Sequence, residues 1–537
     1  MISTAFNLAL EHLELFLGRL NEKTIVGFIV LAALALRVAR GLLTAVVNTD
    51  AAVYLYQAKA LYYGMWSAVN ACTINYVTAH PIVTACFYFF TRDWILSMRA
   101  VSILFGTITL IPVYYLARLF FPFRTSCIVM LLYAVMHVFV TVSVDVGRDP
   151  AYWFFSACGL YFFAAGMKRE GIWHFPLASI AFSLATWNRI EAVLYLVVTA
   201  LYLLFKKTDG KGRKLLLYLA PVICGAVAFI AVQYLSSREI NWYRFGEIPE
   251  RFMLSLTAYR DLRINLLAMI QKPPDGFVFQ FFENVRSQLW LLGLGVVIKN
   301  AAEAFFYPFF VLFLVGLLDF RKWRSAGLTG YFAVLIACGL ALLYVHVFMN
   351  WSMENRYLVL LILPSFIFLG FGVERILSFL RQRWGMKEFA AVFLVALLIP
   401  LLAVPKELRF HEKDKAVFRE IGTLIANEEG ATRTIEILSI GISMRWVSLY
   451  GNLNVPALFC SDEDNLSGIP LGSIVGKSYA DFMKMVNARH LRYVVWEEKY
   501  WPVQEFDLLK EYDPRDFRIV GQWRHQDTGR IVLFKRL

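Results

Sequence analysis

Long apolar stretches recur along the chain and are separated by polar connections. Eleven of them approach the roughly 20 residues that a helix needs to cross the hydrocarbon core of a bilayer. They lie at about residues 24–46, 95–118, 125–145, 150–167, 171–187, 190–205, 215–235, 300–318, 327–349, 356–374 and 388–404. This pattern predicts a polytopic α-helical membrane protein with about 11 transmembrane helices.

Lysine and arginine side chains gather in alternate connections, at residues 118–124, 168–169, 206–214, 321–324 and 375–387. All of these fall on one side if the first span runs from inside to outside, and positive charge in short loops marks the cytoplasmic side. The N-terminus is therefore expected in the cytoplasm. The expected external regions are 48–94, 145–149, 187–191, 236–299, 350–357 and the chain after about residue 405.

Three of the polar regions carry structure of their own. The N-terminal "FNLALEHLELFLGRLNEKT" has the spacing of an interfacial helix on the cytoplasmic face. In the external loop 48–94, "YLYQAKALYYG" and "HPIVTACFYFF" predict short amphipathic helices in the outer interface, where Tyr and Trp are favoured. The long external connection 236–299 is expected to act as a cover over a site.

The apolar spans end near residue 404, and a soluble α/β domain is predicted for 405–537. "IEILSI" and "RYVVWEE" read as buried strands, "DFMKMVNAR" as a helix, and the last 21 residues as a hairpin with its turn at Asp527–Gly529. The domain has no Gly-rich phosphate loop and no nucleophile elbow. An accessory or acceptor-binding role is therefore expected for it, and catalysis for residues 1–404.

Composition agrees with a membrane protein, since 59% of the residues are hydrophobic and only 17% are charged. The formal net charge of +13 reflects loop topology. Because no basic stripe with interleaved aromatic residues occurs, no nucleic-acid partner is expected. The seven cysteines show no CxxC spacing, which argues against a zinc or redox site. Cys72 and Cys86 are compatible with a disulfide or with two small apolar side chains.

Ionisable residues gather at the predicted outer ends of the spans. Charges at membrane depth are costly, so they usually mark a functional cavity. Arginine side chains bind the phosphate of a lipid well, and a carboxylate can act as the base that takes the proton from an incoming hydroxyl. The residues are Arg37, Arg40, Asp50, His80, Asp145, Arg148, Asp149, Arg189, Glu191, Glu354 and Arg356.

Some of these residues also have a purely structural interpretation. Asp50 and Asp149 each precede a helical stretch and are alternatively helix caps. Arg189 and Glu191 are too close in sequence for an i,i+4 pair, and an interfacial structural pair is the alternative for them. Three histidines on apolar spans are expected to be structural: His137, His174 and His346.

At these same positions the chain resembles the GT-C membrane glycosyltransferases. It is similar to the bacterial lipid A aminoarabinose transferases and to the protein O-mannosyltransferase superfamily that contains them. The resemblance covers about residues 24–404, and a soluble C-terminal domain follows in the same place. The matching segments are "NTDAAVY…AKALYYGMW…AHPIVTACFYF…RDWILSMRAVSILFGTITLIPVYYLARLFF", "VSVDVGRDPAYWFFSACGLYFFAAGM", "ATWNRIEAVLYL" and "ENRYLVLLILPSFIFLG".

The resemblance implies an inverting transfer of a sugar from a polyprenyl-phosphate donor to an acceptor hydroxyl at the outer face of a bacterial inner membrane. By position, Asp50 is the catalytic base and Asp149 orients the acceptor or the base. His80 stands where relatives carry a phosphate-binding Lys. The other phosphate-binding candidates are Arg148, Arg189 and Arg356, and the substrate-pocket candidates are Tyr54, Lys59, Glu191 and Glu354.

Two departures from the family pattern bear on the chemistry. Ala51 replaces the acidic residue that usually follows the first Asp, and His80 binds phosphate only when it is protonated or donates a hydrogen bond. Because no DxD pair occurs in the predicted external loops of residues 1–404, we expect a reaction without metal or other cofactor, with a divalent metal as the open alternative.

Two other functions also fit a polytopic chain with charges near membrane depth. A secondary transporter should show an internal repeat and charges on both halves of its spans, whereas the charges here crowd on one side. A lipid-linked oligosaccharide ligase or polymerase would need the same external arginines. The acceptor, whether lipid, glycan or protein, and the sugar are not encoded in a local motif.

Overall fold

The structure, a computed structural model, describes residues 21–66, 68–69, 76–169, 171–207, 209–235, 243–270, 276–319, 323, 327–430, 433–439, 444–456, 476, 478–504 and 506–537. The predicted N-terminal interfacial helix falls almost wholly outside these residues. So does Cys72, so the disulfide alternative is not tested.

Helices occupy all eleven predicted apolar stretches. The helices up to residue 407 are α1 Glu22–Leu42, α2 Ala51–Tyr62, α3 Ala79–Thr91, α4 Trp94–Ile108, α5 Leu110–Arg118, α6 Phe123–Val135, α7 His137–Val142, α8 Asp149–Arg169, α9 His174–Asn188, α10 Val193–Phe205, α11 Lys211–Leu235, α12 Tyr243–Ile270, α13 Gly276–Ser287, α14 Leu289–Phe305, α15 Tyr307–Leu317, α16 Thr329–Asn350, α17 Val359–Ile362, α18 Phe366–Trp384 and α19 Glu388–Glu407. Short 3₁₀ turns lie at Ile190–Ala192, Asn355–Leu358 and Leu363–Ser365.

Within the described residues, five helical segments are long and apolar enough to cross a membrane. They are Glu22–Leu42, Trp94–Arg118, Thr329–Asn350, Asn355–Trp384 and Glu388–Glu407. A bent pair, α14 and α15, adds a sixth when counted as one span. The protein is therefore an integral membrane protein, as its hydropathy predicts.

The predicted span 300–318 differs from the observed helices. Its apolar helix begins earlier, at Leu289, and α14 and α15 meet at an angle of 108°. Phe306 lies between them with φ 69°, a conformation that a helix does not tolerate. Pro308 sits in the first turn of α15, where its missing N–H costs nothing. The connection 236–299, predicted to be external, likewise contains three helices among its described residues: α12, α13 and the first part of α14.

The chain divides into two compact units. The membrane unit comprises the chain up to Arg37, Leu104–Val142 and Asp149–Glu407. Its helices α15 and α18 pack with their backbones close together, since a Cβ built on Gly316 would lie 1.8 Å from the carbonyl oxygen of Phe368. Glycine at such a contact allows helices to approach within a membrane.

The second unit comprises Val38–Ile103, Ser143–Arg148 and Leu408–Leu537. Its remaining elements are α20 Ala416–Glu429, β1 Ile437–Ser439, α21 Met444–Gly451, α22 Tyr479–Ala488, β2 Tyr493–Glu497, α23 Leu508–Glu511, β3 Phe517–His525 and β4 Gly529–Arg536. The sheet has the order β1-β2-β4-β3, in which β1 and β2 are parallel and the other pairs antiparallel. These elements match the strands, helix and closing turn predicted for an α/β domain.

The first predicted external loop and the residues just before it share a hydrophobic core with this sheet. Val47 and Leu55 belong to one buried cluster with Phe418, Val447 and Leu533. All ten residues of α2 from Ala51 to Ala60 are buried. The prediction of an amphipathic interfacial helix for α2 was therefore wrong, because this helix is enclosed by α3, by Trp94 and Met98, and by the distant residues of the C-terminal chain. Helix α3, with buried and exposed faces, fits the prediction better.

Candidate functional site

A buried carboxylate faces two arginines in the membrane unit. Asp149, the first residue of α8, has a side chain that is 2% exposed. Its Oδ1 accepts a hydrogen bond from Arg189 Nη1, and its Oδ2 lies 3.9 Å from Arg356 Nη1. The three residues come from the start of α8, the end of α9 and the 3₁₀ turn before α17. The helix ends thus bring together charges that are far apart in sequence.

Arg189 also binds a second carboxylate. Its Nη2 lies 3.2 Å from Glu191 Oε1, although the two residues are too close in sequence for a helical pair. The pairing is possible because Arg189 leaves α9 with an extended backbone, φ −141° and ψ 125°. Burial alone would lower the pKa of Arg189, but Asp149 and Glu191 raise it well above its ordinary value. Its charge is therefore fixed.

Three further ion pairs extend the cluster. Arg251 of α12 lies 3.3 Å from Glu191 through its Nη1 and also bonds Glu247, one helical turn before it. Arg356 Nε lies 2.6 Å from Glu354 Oε2, and the Glu354 side chain is 59% exposed. We call these residues the arginine cluster: Asp149, Arg189, Glu191, Glu247, Arg251, Glu354 and Arg356.

An apolar cavity of about 510 Å³ contains the three arginines of this cluster in its lining. Val197, Phe252 and Leu343 are among the apolar side chains of its walls. The guanidinium of Arg189 lies 4.6 Å from the ring centre of Tyr357, another lining residue, so the ring stabilises its charge. A long apolar ligand with an anionic head is the kind of molecule that suits such a groove.

A second, more polar cavity of about 290 Å³ shares lining residues with the first. Arg251, His346 and Tyr357 line both. The other polar residues of the second cavity are Glu247, Glu250, Asn350, Ser352 and Glu354. The two cavities together offer an apolar surface, fixed cations and hydrogen-bonding groups.

Sequence reasoning missed Arg251, Glu247, Tyr357 and the position of His346. Glu247 and Arg251 lie in the stretch expected to be a connection, and their spacing of four was the available signal. His346 was expected to be structural, yet it lines both cavities. The apolar residues next to Tyr357 in the sequence did not indicate that its side chain lines a cavity.

The other predicted site residues lie in the second unit. Asp50 precedes α2, and its side chain makes no helix-capping hydrogen bond. The Asp50 N–H instead donates to Asn48 Oδ1 at 2.9 Å. The Asp50 carboxylate, 31% exposed, lies 3.5 Å from Arg445 Nη1. The structural alternative of a side-chain cap is therefore not supported for Asp50.

His80 and Tyr54 are both buried. His80 Nε2 lies 3.1 Å from Ser102 Oγ and 3.2 Å from the Met98 carbonyl oxygen. The ring centres of His80 and Tyr54 are 5.6 Å apart. Arg148 donates to the Tyr76 hydroxyl and lies over its ring. Phosphate binding by His80 and Arg148 stays a prediction.

Lys59 is completely buried in the same unit. Its ammonium donates to the carbonyl oxygens of Asn452, Leu453 and Val455 at 3.2, 2.6 and 3.0 Å. These contacts use all three N–H donors of the group. Burial lowers the pKa of Lys59 to about 7. Its geometry is that of a structural anchor, and we leave it out of the proposed substrate contacts.

The predicted residues thus fall into two sets. The membrane unit brings together Asp149, Arg189, Glu191, Glu354 and Arg356. The second unit holds Asp50, Tyr54, Lys59, His80 and Arg148.

Comparison with known proteins identifies a related family and fold. Residues 79–234 match the family model described as dolichyl-phosphate-mannose-protein mannosyltransferase. No curated protein matches the chain.

Solved membrane enzymes share the fold. ArnT from Cupriavidus metallidurans bound to undecaprenyl phosphate superposes with a TM-score of 0.60 at 14% identity, covering 95% of this chain and 97% of that one. The same protein in the apo state gives 0.54 at 13% identity with the same coverage. The Archaeoglobus fulgidus oligosaccharyltransferase, tethered to an acceptor peptide with an NVT sequon, gives 0.54 at 10% identity, covering 89% and 69%. The matched segment and the shared fold together confirm the resemblance of this chain to the GT-C class of membrane glycosyltransferases.

Proposed function

We propose that this protein is an inverting glycosyltransferase that moves a sugar from a polyprenyl-phosphate donor to an acceptor hydroxyl of a lipid, glycan or protein. The observation that carries the proposal is the apolar groove of about 510 Å³ lined by Arg189, Arg251 and Arg356. A secondary transporter or lipid flippase would instead be expected to carry charges on both halves of its spans. The proposed setting is the outer face of a bacterial inner membrane, with the N-terminus cytoplasmic and the C-terminal domain outside, which the positive-inside rule supports.

The polyprenyl chain would occupy the apolar walls, and its phosphate would bind the guanidinium groups. The arginine cluster holds three guanidinium groups against four carboxylates, so a phosphate must displace one carboxylate. Glu354 is the proposed one, because it is 59% exposed, whereas Asp149 is 2% exposed. An ion pair this exposed costs about 1 kcal/mol or less to break.

The polar cavity would hold the sugar. Its carboxylates, Asn350 and Ser352 offer acceptors and donors for sugar hydroxyls. Because Arg251, His346 and Tyr357 line both cavities, the phosphate would bind between the lipid and the sugar. That order matches the order of the groups in a polyprenyl-phosphate sugar.

In the proposed reaction, Asp50 removes the proton of the acceptor hydroxyl. The acceptor oxygen attacks the anomeric carbon from the side opposite the phosphate, and the bond between that carbon and the phosphate oxygen breaks. The lipid phosphate leaves with the electron pair, and the configuration at the anomeric carbon inverts. The arginines neutralise the charge that develops on the phosphate, and one such group contributes about 3 kcal/mol or more in a dry site.

Asp149 has a positioning role in this scheme, because its two carboxylate oxygens contact Arg189 and Arg356. The reaction we propose is metal-independent, because no DxD pair occurs in the loops of residues 1–404 that are predicted to be external. An oligosaccharide ligase remains the second candidate, favoured by the likeness to the archaeal oligosaccharyltransferase. ArnT is matched over 97% of its length and the oligosaccharyltransferase over 69%, which supports a single-sugar donor as the first choice.

The test uses purified protein in nanodiscs with a panel of polyprenyl-phosphate sugars and of lipid, glycan and protein acceptors that carry a free hydroxyl, and it measures release of free polyprenyl phosphate. Wild type should release it with one donor, and Asp50→Asn should bind that donor without turnover. Asp93→Asn is the matched control, because Asn keeps the acceptor that caps the Leu96 N–H. Full activity of Asp50→Asn would remove it from the role of base, and donor translocation without release would favour a transporter.

A further inference from the structure

The backbone just before Asp50 is held by one helix of the C-terminal chain, α21. Trp446 Nε1 donates to the Val47 carbonyl oxygen at 2.7 Å, and the Val47 N–H donates to the Tyr450 hydroxyl oxygen at 3.2 Å. Both polar groups of a single residue, three positions before Asp50, are therefore fixed by side chains of α21. Val47, Trp446 and Tyr450 are all buried, so water does not compete for these bonds.

The same helix reaches the carboxylate itself. Arg445 Nη1 lies 3.5 Å from Asp50 Oδ1, with side chains 27% and 31% exposed. A guanidinium at this distance restricts the rotamers that the carboxylate adopts. The contact thus acts on the side chain, whereas Trp446 and Tyr450 act on the main chain.

The segment is anchored a second time after Asp50. Lys59 of α2 binds three carbonyl groups in the turn that directly follows α21. Asp50 therefore lies between two attachments to the same short stretch, residues 445–455. Near-attack geometry is sensitive to displacements of about 1 Å, and a segment fixed on both sides is well suited to maintain it.

We propose that helix α21 positions the catalytic carboxylate and that Arg445 is a positioning residue for Asp50. The proposal rests on the role of Asp50 in the proposed function. It gives the C-terminal domain a part in the chemistry, which its lack of catalytic motifs did not predict.

The test compares donor turnover by wild type, Arg445→Gln and Arg445→Lys in nanodiscs. Arg445→Gln should lower kcat by about 10- to 100-fold with little change in KM, as expected for a misplaced catalytic group. Arg445→Lys keeps the charge and should recover most of kcat. Arg515→Gln is the matched control, because it removes an exposed arginine of the same domain that pairs with Asp513, and it should match wild type.

Two further variants separate positioning from folding. Trp446→Phe removes the donor to Val47 but keeps a ring to stack on Phe418. It should lower kcat, while its thermal unfolding midpoint, reduced by the unsatisfied Val47 carbonyl, should stay well above the assay temperature. The double variant Asp50→Asn/Arg445→Gln should be no slower than Asp50→Asn alone, because Arg445 acts through Asp50.

The outcomes distinguish the positioning role of α21 from the catalytic role proposed for Asp50. Normal kcat in Arg445→Gln and Trp446→Phe, with Asp50→Asn inactive, overturns the positioning role and leaves the proposed function standing. A raised KM with unchanged kcat in Arg445→Gln also overturns it, since that result assigns Arg445 to donor binding. A fully active Asp50→Asn removes the premise, because there is then no catalytic carboxylate at this position.

Discussion

Arg189 and Asp149 form an ion pair in which the two side chains are only 5% and 2% exposed. Such a pair is costly to break from one side, because the remaining charge stays buried. It also sets the direction in which Arg189 presents its other nitrogen atoms, one of which binds Glu191. The stability of the membrane unit and the geometry of the proposed phosphate site therefore depend on the same contact.

The first prediction concerns this pair. Asp149→Ala should destabilise the protein by about 3 to 5 kcal/mol, the usual cost of leaving a buried charge without its partner. Thermal unfolding in detergent measures the effect. Asp513→Ala, which breaks an exposed pair, should leave the midpoint unchanged. The double variant Asp149→Asn/Arg189→Gln should be more stable than Asp149→Ala, and a double variant that is less stable would contradict the pairing.

The second prediction concerns Arg251, which the sequence did not identify. Arg251→Gln should weaken binding of polyprenyl phosphate by about 10-fold or more, through loss of one charge-assisted hydrogen bond. Arg260→Gln, on the same helix but outside the groove lining, should bind normally. Equal binding by both variants would exclude Arg251 from the phosphate site. Binding of polyprenyl phosphate alone, without a sugar, is sufficient for the measurement.

The third prediction concerns Glu354 as the carboxylate that the phosphate displaces. Glu354→Gln removes the competitor for Arg356, so polyprenyl phosphate should bind about 2- to 5-fold more tightly, the value of one exposed ion pair. Glu303→Gln breaks the exposed pair with Lys299 and serves as the control. Weaker binding by Glu354→Gln would mean that this side chain contacts the ligand directly.

The fourth prediction is a pH dependence of stability in the second unit. Burial alone would raise the pKa of Glu429, but hydrogen bonds from Lys535, Tyr493 and Arg492 lower it to about 2 from an ordinary value of 4.5. Because the folded pKa is the lower one, this stabilisation is complete above about pH 4.5 and is lost as the pH falls through about 2.

Glu429→Gln should therefore unfold at a lower temperature than wild type at pH 7, and the difference should shrink between pH 4.5 and 2.5. Thermal unfolding of the full chain measures it. Glu283→Gln, at an exposed position, should follow wild type at every pH. A difference that stays constant across this range would exclude Glu429 as its source.

The fifth prediction concerns helix packing. Gly316→Ala should destabilise the membrane unit, because the added Cβ meets the Phe368 carbonyl oxygen at 1.8 Å and the backbones must separate. Gly295→Ala has no atom within 4 Å of its new Cβ and should be neutral or slightly stabilising. Similar midpoints for the two variants would contradict the close contact between α15 and α18.

Hydropathy located the helices well, because a membrane span is specified by a local property of the chain. It did not predict the bend at Phe306, which depends on one backbone conformation, or the helices between residues 243 and 299, whose apolar residues are interrupted by charges. The ionisable residues at the ends of the spans were also identified locally. Which of them meet could not be predicted, since the partners of Asp149 lie 40 and 207 positions further along the chain.

The burial of α2 is another feature that local sequence patterns did not predict. Its Tyr-rich sequence is typical of an interface, but α2 is enclosed by its neighbour α3 and by distant residues such as Phe418, Val447 and Leu533. Lys59 was read as a pocket residue for the same reason. Its carbonyl partners are separated from it by more than 390 residues, so no local sequence pattern indicated these contacts.

The shared core of α2 and the C-terminal sheet has a consequence for biogenesis. Helix α2 leaves the ribosome early, but the residues that cover it are translated nearly 400 codons later. Until they arrive, its apolar side chains must be shielded by other partners. A nascent chain stopped before residue 408 would carry the proposed base on a segment without these contacts, so the protein should become active only after its last strands have folded.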